Sequence, residues 1–122
     1  MKCENLDVWK KSCRLSVEIY KYFQNCKDFG FKDQVTRASL SVPSNIAEGM
    51  EKSYPKEKNR FFEIAKGSTA ELITQIYIGV EIEYIDKSVG LDWIAKLNEI
   101  SKMISGLSKY HRGYTDEKQP QS

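Results

Sequence analysis

Proline and glycine are scarce, at three and seven in 122 residues. Too few turn formers remain for a β-sandwich. Cysteine is as sparse: Cys3, Cys13 and Cys26 lie ten or more residues apart with no CxxC pair. That excludes zinc-ribbon and thioredoxin-type sites and leaves Cys13 and Cys26 as small packing residues of a reducing compartment. The single histidine, His111, excludes His-rich metal centres and nearly all Ser-His or Cys-His catalysis. No apolar run approaches the ~18 residues that cross a bilayer. The opening Met1-Lys2-Cys3-Glu4-Asn5 is polar and has no apolar leader stretch, so the expectation is a cytoplasmic protein without a secretory signal. No GxxxxGK[ST], GxGxxG or GxSxG occurs, so no phosphate-cradling loop or nucleophile elbow is expected.

What is present belongs to a globular chain. Hydrophobic residues make up 40% and charged residues 30%, and the mean hydropathy is −0.55. The length suits one domain, expected over residues 1–112, with a polar tail over 113–122. Net charge is only +2, but it is polarised along the chain. Residues 1–66 hold 13 basic and 9 acidic groups, residues 67–100 hold 2 and 6, and residues 101–122 hold 4 and 2. Such a chain can present one basic and one acidic face.

Periodicity gives four helical segments and an all-α fold. Segment 6–27 carries Leu6, Trp9, Cys13, Val17 and Tyr20 on one stripe and Leu15, Ile19, Tyr22, Phe23 and Cys26 beside it, with Asp7 or Asn5 as cap and Gly30 as its stop. Segment 31–52 repeats Phe31, Val35, Ala38, Val42 and Ile46. Pro43 leaves the Ser39 carbonyl without its donor. Because the stripe continues in phase, one helix kinked at Pro43 is expected, with the hydroxyls of Ser39, Ser41 and Ser44 serving freed backbone groups. Segment 55–85 starts at Pro55 and is apolar on more than one side, as a helix buried twice would be. One of those sides then faces another subunit. Its Gly67 and Gly79 each cost ~1 kcal/mol against Ala, which close helix approach would explain. Segment 91–110 repeats Leu91, Ile94, Leu97, Ile100, Ile104 and Leu107, with Ser88 and Asp92 as candidate caps. Short links between the four make an antiparallel up-down four-helix bundle.

The glutamates Glu48, Glu63, Glu71, Glu81 and Glu83 invite a di-metal reading. That site requires ExxH motifs on two helices, and the first three segments have no histidine. An enzyme is therefore not expected, and neither is a metal or cofactor. Asn45 and Glu48 share a helix face, as do Ser68, Glu71 and Gln75. Asn45, Glu48, Ser68 and Glu71 are expected to form a buried structural polar cluster near the kink. Lys52, Lys56, Lys58, Arg60 and Lys66, with Arg37 upstream, form a candidate nucleic-acid-binding set. Lys109, His111 and Arg112 stand at the far end, and Tyr54, Tyr110 and Tyr114 are interleaved. Cations among aromatics suit phosphate neutralisation and base stacking, although Glu51, Glu57 and Glu63 also fit an ordinary solvated face.

Several runs together resemble a known family. These are Trp9-Lys10-Lys11, Gln34-Val35-Thr36-Arg37-Ala38, Ser41-Val42-Pro43-Ser44-Asn45-Ile46-Ala47-Glu48-Gly49, and Arg60-Phe61-Phe62-Glu63-Ile64-Ala65-Lys66-Gly67-Ser68 followed by Glu71-Leu72 and Gln75. The likeness is to the 23S rRNA intervening-sequence proteins, small bacterial four-helix-bundle proteins, and spans about residues 6–110. It implies an antiparallel bundle assembled as a ring-shaped homopentamer, with no known enzymatic activity. A related bundle, the accessory variability protein of diversity-generating retroelements, is pentameric and basic and binds nucleic acid and a reverse transcriptase. By that analogy the chain binds RNA. Two departures stand out. Asn25-Cys26-Lys27-Asp28 lacks the family's usual proline, and Thr36 stands where many members carry a second basic residue, which thins the basic patch. The expected function is thus a non-catalytic homo-oligomer that binds rRNA or other nucleic acid weakly by charge. A scaffold for an unidentified protein partner is the alternative.

Overall fold

The computed structural model describes residues 1–118, with the backbone alone over 113–118. Its elements are α1 (Asp7–Tyr22), α2 (Phe29–Glu51), α3 (Pro55–Glu81) and α4 (Lys87–Lys118), with no strand among the described residues. Each helix packs on its two neighbours to make a four-helix bundle, with the α2–α3 and α3–α4 seams the most extensive. Side chains tie neighbouring helices to one another. Lys2 donates its backbone N–H to Glu51 at 2.9 Å and Ser16 pairs with Ser39 at 3.0 Å. Ser108 donates to Asn59 at 2.7 Å, and the Tyr22 ring meets Trp93 at 5.0 Å. No described helix is long and apolar enough to cross a membrane.

The core follows the predicted stripes. Val35, Ala38, Val42 and Ile46 of α2 are buried, as are Ile94, Leu97, Ile100 and Ile104 of α4. The largest buried side chain, Trp93, lay outside the predicted stripe, whereas Leu91, placed on it, is exposed. Val17 and Tyr20 of α1 are exposed too, so the wide apolar face expected there is narrower in the folded chain.

Helix ends differ from the expectations in informative ways. Helix α1 starts after Leu6 with no side-chain cap, so neither Asn5 nor Asp7 fills that role. Gly30 does not stop α1 but lies in the first turn of α2, because Asp28 caps that helix by accepting the Phe31 N–H at 3.1 Å. That amide first, and the Tyr84 hydroxyl second, hold the Asp28 carboxyl below its ordinary pKa. Helix α2 runs through Pro43 as one element. Two of the three serine hydroxyls expected to serve freed backbone groups have other partners: Ser39 donates to the Thr36 carbonyl and Ser41 pairs with Ser68. Helix α4 begins at Lys87, so Ser88 and Asp92 lie inside it, and Asp92 pairs instead with Lys96 at 3.0 Å. Its helical course continues to Lys118, into the stretch expected as a tail, and residues 119–122 lie outside the described residues.

Helix α3 stops at Glu81 rather than Ile85 because the chain reverses through Glu83 at φ 66°. Tyr84 and Ile85 then both donate their backbone N–H to the Gly79 carbonyl, at 2.9 and 3.1 Å. A left-handed residue just past a helix is normally Gly, so a Glu there carries strain. Glu83→Gly should raise the unfolding free energy by about 0.5–1 kcal/mol, read from denaturant midpoints at unchanged slope.

Candidate nucleic-acid interface

The connection between α2 and α3 is three residues long, Lys52-Ser53-Tyr54. It is closed by Pro55 at the first helical position, where a missing N–H costs nothing. This tight corner brings Lys52 back over α3. The Lys52 ammonium lies 5.1 Å from the centre of the Phe61 ring, and the Arg60 guanidinium lies 5.6 Å from the same ring. Both are within cation–π range. Lys56 is exposed one turn before Arg60, on nearly the same face. Three of the six candidate cations thus meet at one corner, and Phe61 organises two of them. The candidate set drawn from the sequence leaves Phe61 out; its position directly after Arg60 is the available signal.

The other three do not join them. Lys58 is half-buried and turns inward, donating to the Met50 carbonyl at 3.0 Å and closing the last turn of α2. Burial first, and the Lys2 charge second, lower its pKa. Arg37 stands fifteen residues before Lys52, about 22 Å away along the helix. There it makes an ion pair with Asp33 at 2.8 Å. Lys66 is half-buried and sits about 120° around α3 from Arg60. Sequence proximity grouped these residues, and helical phase separates them.

The expected polar cluster also divides. Asn45 donates its Nδ2 to the Ser41 carbonyl at 2.8 Å and to Ser41 Oγ at 2.9 Å, and Ser41 Oγ pairs with Ser68 Oγ at 2.8 Å. Asn45 and Ser68 are therefore joined through Ser41, a residue the spacing argument left out of the cluster. Glu48 and Glu71 are exposed, and Glu71 accepts only from Gln75 of its own helix, at 3.3 Å. A carboxylate buried without a cation would be costly, and water solvates both acids at lower cost. Glu48→Ala should then shift stability by no more than about 0.5 kcal/mol, measured by chemical denaturation.

The end of α4 lies at the same corner of the bundle. His111 rests against Phe62, with ring centres 5.7 Å apart, and against Tyr110 at 5.2 Å. Burial first, and the Lys58 charge second, lower the His111 pKa. A histidine whose folded pKa lies below its unfolded value of ~6.5 takes up its proton first in the unfolded chain. Stability should therefore fall as pH drops from ~6.5 through the folded pKa. His111→Gln should flatten that part of the profile, read as thermal midpoints of both proteins across the range.

The outer face of α2 and α3 carries unpartnered apolar groups. Leu40, Ile64, Ile78 and Ile82 are all exposed. Ile64, Ile78 and Ile82 fall within about 40° of one another around α3, on the side of Arg60 and Phe61. Gln75 Oε1, on the same side, is buried without a hydrogen-bond donor among the described residues. Of the two glycines expected at close approaches, Gly79 is closely packed, with a Cβ there meeting Ile85 Cδ1 at 2.5 Å. Gly67 has no neighbour within 4 Å of its Cβ position.

No curated protein matches the chain. Among solved structures, one similar to it is the crystal structure of a protein of unknown function from the S23 ribosomal protein family of Bacteroides thetaiotaomicron VPI-5482. It shares 24% identity at a TM-score of 0.78, covering 84% of this chain and 98% of that one. At that identity the likeness establishes the fold, which is the bundle described above. The sequence model of the 23S rRNA-intervening sequence protein family matches residues 4–106, from just before α1 to partway along α4. Since that match takes in α1, α2 and α3 whole, most of α4 and the corner at Phe61, the chain belongs to the 23S rRNA-intervening sequence protein family.

Proposed function

We propose that the chain is a non-catalytic, cytoplasmic homo-oligomer that binds RNA by charge at the α2–α3 corner, with five subunits as the family resemblance implies. The observation that carries this reading is the pairing of Lys52 and Arg60 over the Phe61 ring, with Lys56 exposed one turn before Arg60. The family's name supports rRNA as the polyanion to try first. Self-association is supported by the exposed apolar residues of α3, which continue from this corner along the helix, and by the buried Gln75 oxygen beside them. A second copy seated there would cover the apolar groups, supply a donor, and set one basic corner beside the next. Repeated weak corners on one polyanion gain avidity without new contacts. The free Cys3, Cys13 and Cys26 fit a reducing compartment.

The binding should be weak and sensitive to salt. Each phosphate neutralised contributes a slope of about −0.7 in log K against log salt for single strands, or −0.9 for duplex. The net charge of +2 keeps the number of such contacts small. The test is a titration of rRNA fragments against the native chain and a Lys56→Glu, Arg60→Glu variant at two salt concentrations, with light scattering of both. Weaker binding by the variant at an unchanged oligomeric mass supports the reading. Equal binding by both proteins, or none at low salt, overturns it in favour of a protein-binding scaffold. A mass of 14.1 kDa at micromolar concentration overturns the oligomer.

A further inference from the structure

Resting on that reading of the corner, we infer that it selects single-stranded over duplex nucleic acid, with Tyr54 as the ring on which an unpaired base stacks. Tyr54 is 70% exposed at the apex of the α2–α3 connection. It is also held in one backbone conformation. Its φ of −107° and ψ of 136° are those that a following proline enforces, and its carbonyl accepts the Lys58 N–H at 2.9 Å. The apex is therefore a rigid mount for an aromatic ring that the fold leaves unused. Two other tyrosines are tied down: Tyr84 donates to Asp28 at 2.8 Å, and the Tyr22 hydroxyl accepts the Asp86 N–H at 2.9 Å.

The ring sits between cations. Lys52 and Lys56 flank Tyr54 two residues to either side, and Arg60 follows one turn on. At the same end, Tyr110 is 66% exposed, next to the exposed Lys109 and two residues before Arg112. A lone exposed aromatic requires no explanation. A rigidly mounted one inside the only corner where three candidate cations meet has the composition of a single-strand platform, in which cations track phosphates and rings take bases. A duplex keeps its base faces stacked on one another, so it can use the cations but not the ring.

The experiment is fluorescence anisotropy at low salt, with the full chain against a labelled oligouridylate and an RNA duplex of equal length. It compares native protein, Tyr54→Ala, Tyr54→Phe and the Lys56→Glu, Arg60→Glu variant, with thermal midpoints confirming that each is folded. Tyr54→Ala should weaken oligouridylate binding by roughly tenfold and leave duplex binding unchanged, while Tyr54→Phe stays within about twofold of native. Native protein binding both probes equally, or Tyr54→Ala weakening both or neither, overturns the single-strand inference. If the charge-reversed variant weakens both probes while Tyr54→Ala changes neither, charge binding stands and stacking alone fails. If the charge-reversed variant binds like native protein, the charge reading itself fails.

Discussion

Phe62→Ala should lower the unfolding free energy by about 3–5 kcal/mol. The side chain is fully buried in α3, and its ring packs on His111 of α4 and fills the space over Gly49 of α2. Three helices therefore meet on one ring. Truncating it removes buried aromatic area and leaves a cavity whose walls are helices already seated by their other contacts, so collapse is limited. Against a domain stability of roughly 5–15 kcal/mol, that is a large share. Urea unfolding of both proteins at matched concentration tests it, and a loss below about 1 kcal/mol would mean that the walls close in.

The opposite change at the same place should cost nearly as much. A Cβ at Gly49 would stand 2.7 Å from Phe62 Cε1 and 3.0 Å from the Lys58 carbonyl oxygen. The ring can shift by a few tenths of an ångström, but the carbonyl belongs to the first turns of α3 and cannot move without that helix. Gly49→Leu should therefore destabilise by about 3 kcal/mol, the gain in helix propensity notwithstanding. The two sites share one volume, so their effects should not add. Gly49→Leu made in the Phe62→Ala protein should cost clearly less than in the native one, and a double-mutant cycle reads the difference. Gly67 is the control for propensity alone: with nothing near its Cβ position, Gly67→Ala should stabilise the isolated chain by up to about 1 kcal/mol.

The helices were legible in the sequence because their buried residues recur at three- and four-residue steps, as in Val35, Ala38, Val42 and Ile46. Their ends were less so. The reversal at Glu83 has no Gly or Pro to announce it, so the apolar pattern ran on to Ile85 across a turn. Gly30 resembles a stop by composition alone, but the cap two residues before it, Asp28, starts a new helix there. Trp93 was legible and missed: it stands four residues before Leu97 and seven before Ile100, in phase with the buried stripe of α4, and meets the rings of Tyr22 and Phe23 at the end of α1. The candidate site was legible in composition but not in membership. Lys52 and Arg60 come together through the turn at Tyr54 and the ring of Phe61, with Lys56 one turn before Arg60, while Lys58, close in sequence, points the other way to satisfy a helix end. Ser41 joins Asn45 to Ser68 only because α2 and α3 cross there.

The seam between α1 and α4 is the thinnest in the bundle. Across it run an ion pair of Lys11 with Glu99 and another of Lys96 with Glu18 at 3.5 Å, all four side chains well exposed. Beneath them lies a cleft of about 260 Å³ floored by Leu15 and Ile100. Exposed pairs of this kind hold by ~0–1 kcal/mol each and weaken as salt rises. In time rather than in space, α1 is therefore the helix that leaves first. Its amides should exchange with solvent before those of α2, α3 and α4, and added salt should widen the gap between the two rates, as native-state hydrogen exchange would read.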